Sequence, residues 1–62
     1  MRERLEIIIE ELRVAMVDID KVESGTYGFK AAAPRARKAA LTAIKELKEL
    51  RLEIQKKKNS HE

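Results

Sequence analysis

A chain of 62 residues with no cysteine and one histidine, His61, makes one small domain without disulfides, thiolate sites or a histidine metal cluster. The longest apolar runs, Ile7 to Ile9 and Val14 to Val17, fall far short of the ~20 residues of a membrane span, and no secretory leader is evident. Net charge is +3, but residues 1–23 carry four basic against seven acidic side chains and residues 24–62 ten against four, so the halves have opposite signs.

The first predicted element covers residues 3–23. Leu5, Ile8, Leu12, Ala15, Ile19 and Val22 recur at alternating spacings of three and four, a heptad seam that a helix places on one face and a strand does not. Ile9 and Met16 widen the stripe. Glu3 and Glu6 stand early, where the positive end of the helix dipole favours acids. Gly25, after Ser24, is the expected left-handed stop.

Residues 24–31 break the periodicity. Two glycines within four residues, Gly25 and Gly28, mark a connection short enough to make the flanking helices antiparallel neighbours. Tyr27 and Phe29, the only aromatics, are expected to fold back and plug the open end of the helix pair. A role in stacking on nucleic-acid bases is the sharper alternative.

The second predicted helix covers residues 32–57, with 58–62 as a frayed tail. Pro34 is tolerated in a first turn but not in a helix interior, which sets the start near residue 32. Its seam is Ala36, Ala40, Ala43, Leu47, Leu50 and Ile54. Alanine early in that seam predicts closer backbones at the turn end.

On a wheel of 100° per residue, one flank of this helix gathers Arg37, Lys38, Lys45, Lys48 and Lys56, with Lys30 joining if the helix begins early. The other flank gathers Glu46, Glu49, Glu53 and Arg35. Solvated faces more often mix the two signs. A one-signed stripe can neutralise phosphates and release counterions without reading bases. Arg35, Arg37 and Lys38 fall near the helix N-terminus, which also favours anions. Acids of the first helix, such as Glu6, Glu10 and Asp18, offer partners for residues beside the seam, such as Arg37 and Arg51. Lys38, Lys45 and Lys56 still point outward.

A chain this short buries only ~60% of its unfolded surface, and without disulfide or metal its remedy is oligomerisation. Ile7, Val14, Val17, Leu41 and Leu52 lie off both seams and call for a second packing surface. The expected fold is therefore an all-α antiparallel two-helix hairpin that dimerises into a four-helix bundle. Its interface takes Leu5, Ile8, Leu12, Met16, Ile19, Ile44, Leu47, Leu50 and Ile54.

Residues 28–58 resemble the short histone H1-like proteins of the chlamydial type, which have relatives in other bacteria and in phages. Gly28, Lys30, Ala31, Ala32, Arg35, Arg37 and Lys38 fit that family's Gly-polar-Lys-Ala-Ala connection and following Arg-x-Arg; Leu47, Arg51 and Ile54 fit its Leu/Lys/Glu helix. Phe29 and Pro34 depart from the pattern. The long Lys/Ala/Pro tail of the chlamydial members is missing, so strong condensation is not expected. The resemblance implies non-specific binding to DNA, with the choice between DNA and RNA left open, and an intracellular, nucleoid or phage-associated setting.

Nothing equips the chain for catalysis. No Gly-rich phosphate loop, nucleophile–base pair or metal-ligand spacing is present, so no cofactor, metal or small-molecule substrate is expected. Leu12-Arg13 and Val17 to Asp20 resemble the opening helix of helical chorismate mutases, but Val17 stands where that family has an acid. The competing reading is a coiled-coil assembly module without nucleic acid.

Overall fold

The computed structural model describes residues 1–60; His61 and Glu62 lie outside the described residues. The described chain is an antiparallel hairpin of two packed helices, α1 (Arg2–Ser24) and α2 (Phe29–Ser60), with no strand among the described residues. It measures 54 × 16 × 12 Å.

Helix α1 opens without a side-chain cap, its Leu5 amide donating to the Met1 carbonyl and Glu3 standing in the first turn. It closes on Gly25, which is left-handed at φ 68° and donates its amide to the Lys21 carbonyl at 3.0 Å. The Ser24 hydroxyl donates to the Asp20 carbonyl at 2.8 Å. Space is not what requires glycine at position 25, because a Cβ there would meet nothing within 4 Å. The backbone conformation requires it. Gly28, at φ 92°, is the second such position.

Helix α2 begins three residues before the expected start. The Phe29 amide donates to Thr26 and the Ala32 amide to Gly28, so the helix is already wound through Ala31, Ala32 and Ala33. Alanine is the strongest helix former, and three in a row extend α2 toward the turn. Pro34 consequently lies inside the helix, not in its first turn. Its missing N–H leaves the Lys30 carbonyl without a helical donor. Both residues are exposed, so water can take that bond. The far end also departs from expectation. Residues 58–60 continue the helix, and the Ser60 hydroxyl donates to the Lys57 carbonyl at 2.8 Å.

The seam is rotated from the predicted one. Ile8 and Ala15 of α1 are buried, as are Ala32, Ala43 and Leu50 of α2. The half-buried positions beside them are Asp18, Lys21, Ala33, Ala36, Ala39, Glu46 and Glu53. Helix α2 therefore presents the heptad 32, 36, 39, 43, 46, 50, 53 to α1, and Ala40, Leu47 and Ile54 lie to one side. Two overlapping heptads run along α2, and the one richer in alanine faces α1, where small side chains admit the neighbouring backbone. Seven of the nine residues assigned to an oligomer interface (Leu5, Leu12, Met16, Ile19, Ile44, Leu47 and Ile54) are exposed in the single hairpin. Ile8 and Leu50 instead fill its internal core.

The aromatic plug does not form as expected. Tyr27 is fully exposed and Phe29 is 40% exposed. The turn of residues 25–28 is too short to fold a side chain back over the helix ends.

Candidate nucleic-acid interface

With 100° between successive residues, the buried line Ala32–Ala43–Leu50 fixes which side of α2 faces outward. Lys30, Arg37, Lys38, Lys45, Lys48 and Lys56 fall within an arc of about 100° opposite that line. All six are exposed. The acids of α2, Glu46, Glu49 and Glu53, lie outside the arc. From Lys30 to Lys56 the ridge runs about 39 Å along the axis.

Ion pairing among the described residues centres on α1 and leaves the ridge untouched. Among the described residues, the pairs are Arg2–Glu6, Arg13–Glu10, Arg4–Glu53 and Arg35–Asp18, each using at least one α1 side chain. No ridge cation takes part.

Arg35 is the exception among the predicted phosphate ligands. Its Nη2 donates to Asp18 Oδ1 at 2.9 Å and its Nε reaches Oδ2 at 3.2 Å. That hydrogen bonding, with the guanidinium charge, holds the Asp18 carboxyl below its ordinary pKa and raises that of Arg35. Arg35 thus fastens α2 to α1 on the turn side. Arg37 and Arg51, the expected cross-helix partners, pair with no acid among the described residues.

The side of the hairpin bearing Arg35 and Asp18 is acidic toward its open end. Burial raises the Glu46 pKa first, and the charge of Glu11 and a hydrogen bond with it raise it further. Arg4 Nη1 approaches Glu53 Oε2 at 3.1 Å; that oxygen is buried and receives no well-directed hydrogen bond. This surface repels phosphates. The opposite broad side carries Leu5, Ile9, Leu12, Met16 and Ile19 of α1 beside Ile44, Leu47 and Ile54 of α2, with Arg51 among them. Spacing alone showed the basic ridge, but nothing local in the sequence marks Glu11 and Glu46 as neighbours or Arg35 as tied to Asp18.

No group of three or more His, Cys, Asp or Glu side chains is placed to hold a metal among the described residues. No helix there is long and apolar enough to cross a membrane.

Compared with known proteins, residues 2–60 match the family model of histone H1-like protein Hc1. The chain belongs to the histone H1-like Hc1 family. The match takes in α1 and the turn as well as the segment from residue 28 that carries the sequence resemblance. No curated protein and no solved structure matches the chain. Membership in the Hc1 family places it among small histone-like, nucleoid-associated DNA-binding proteins. Hc1 proteins package DNA and are not an enzyme family.

Proposed function

We propose that this Hc1-family hairpin binds duplex DNA without sequence preference through the outer ridge of α2. Lys30, Arg37, Lys38, Lys45, Lys48 and Lys56 contact phosphates, and Arg35 serves the hairpin instead. The observation that carries the reading is the alignment of six exposed cations on one face of α2, none of them paired with an acid among the described residues. Gln55 and Asn59 share the arc only at its C-terminal end, so from Lys30 to Lys48 no Asn or Gln stands among the cations to read adenine edges, which favours backbone contacts over base readout.

A second copy covers the apolar broad side. Five residues form the internal core and three of them are alanine, which is little for a folded domain. Meanwhile Met16 and Ile44 are 58% and 64% exposed on one continuous surface. Two hairpins joined there make a four-helix bundle that keeps both basic ridges outside.

Titrating the protein onto two unrelated labelled duplexes at several salt concentrations tests the DNA reading. Equal affinities are expected, with log affinity falling against log salt at roughly 0.9 per phosphate contacted, and so no steeper than about 5 for one ridge. No binding at low salt would overturn it and leave an assembly module.

A further inference from the structure

We infer that the turn between the helices is a binding site for an unpaired nucleotide, held by base stacking on Tyr27 and Phe29 with its phosphate at Lys30. The inference extends the DNA-binding reading of the ridge and shares Lys30 with it.

Both aromatic side chains of the chain line one open hollow of about 540 Å³, and Lys30, Gly25 and Gly28 line it with them. Tyr27 is fully exposed, so its ring is not spent on the core. Phe29, the first residue of α2, is 40% exposed and presents part of a second ring. A flat apolar surface beside a cation is the combination that takes a base and its phosphate together, and stacking tolerates any base.

Charge also selects this occupant. The first turn of α2 contains no acid. Gly28 at its start offers no side-chain oxygen, so the Lys30 and Ala31 amides lack an acceptor within the helix. An anion fits beside the rings, and an acidic peptide would supply the anion without the planar partner. Bases inside a duplex are stacked on each other and closed to the rings. The site therefore favours single strands, gaps and frayed ends, whereas the ridge accepts any phosphate backbone.

Tyr27 is the only tyrosine, and the chain has no tryptophan, so intrinsic fluorescence reports on this ring alone. The test titrates the protein with oligothymidylate and with a mixed-sequence duplex of matched length. Single strand is expected to quench the emission and duplex to leave it nearly unchanged. Tyr27→Ser should weaken oligothymidylate binding about five- to hundred-fold without changing duplex affinity, and Tyr27→Trp should restore it. Equal single-strand affinity in Tyr27→Ser and wild type would overturn the inference, as would binding of single strand without quenching. Quenching by protein concentration alone would overturn it too, because the ring would then be covered by another copy. Duplex binding with no response of Tyr27 to single strand defeats the hollow but spares the ridge. Quenching by single strand with no duplex binding does the reverse.

Discussion

The outer edges of α1 and α2 differ in sign and in how the charge is used. On α1, Arg2, Arg4 and Arg13 all pair with acids, and Asp18 takes Arg35 from the other helix. On α2, six outer cations pair with none among the described residues. A net charge of +3 therefore understates the field that a phosphate meets along α2 and says nothing of the acidic edge on α1. Internal pairing on one helix leaves the other available for an external polyanion.

The largest effect is expected from loss of the hairpin itself. Ile8, 1% exposed, is the largest fully buried side chain among the described residues. Ile8→Asp should cost several kcal/mol and remove most of the helical circular dichroism. Helicity like that of the wild type would show that α1 and α2 are not held by this core. Met16→Asp probes the apolar broad side, since Met16 is exposed in the single hairpin. The variant should sediment as a monomer at concentrations where the wild type is a dimer. An unchanged sedimentation profile would rule this surface out as the interface.

Smaller effects sharpen the contrast. Gly25→Ala forces an L side chain into the left-handed region and should lower stability by about 1–2 kcal/mol in thermal unfolding, leaving DNA affinity unchanged. An unchanged melting temperature would mean the turn is wound differently.

Acid titration separates the paired charges from the unpaired ones. The Asp18 pKa is lowered in the folded chain, so its stabilisation is complete above its ordinary value of 3.8 and is lost as pH falls through the lower folded value. The Glu46 pKa is raised, so its penalty is absent below its ordinary value of 4.5 and grows as pH rises through the folded value. Asp18→Asn should lower Tm at neutral pH, with the deficit shrinking below pH 3.8. Glu46→Gln should raise Tm slightly at neutral pH and have no effect once the medium is acidic enough to protonate Glu46. Parallel pH profiles for both variants and the wild type would contradict these assignments.

Most of the hairpin could be read from the spacing of its apolar residues, because a heptad seam and a glycine pair restrict the chain to few arrangements. The rotation of α2 could not. Its Ala32–Ala39–Ala43–Leu50 and Ala40–Leu47–Ile54 lines are both heptads, and only the fit against Ile8 and Ala15 decides which turns inward. Pro34 misplaced the helix start because the pull of Ala31 to Ala33 toward helix outweighed one lost hydrogen bond at an exposed carbonyl. The outer ridge was legible, since it depends on helical periodicity alone. The wheel set Arg35 on the acidic flank, but its tie to Asp18 was not legible, because Asp18 lies seventeen residues earlier and meets it only after the chain turns.

We propose that unpaired α2 cations, and not net charge, bind DNA. This is tested most directly by comparing Lys38→Gln/Lys45→Gln/Lys48→Gln with Arg2→Gln/Arg4→Gln/Arg13→Gln, which removes the same charge from α1. Fluorescence anisotropy on a labelled duplex across a range of salt gives the slope of log affinity against log salt for each. The α2 variant should lose about 2.7 from the wild-type slope, at roughly 0.9 per contact, and the α1 variant should keep most of it. Equal losses in the two variants would contradict the claim, because overall charge would then be what binds.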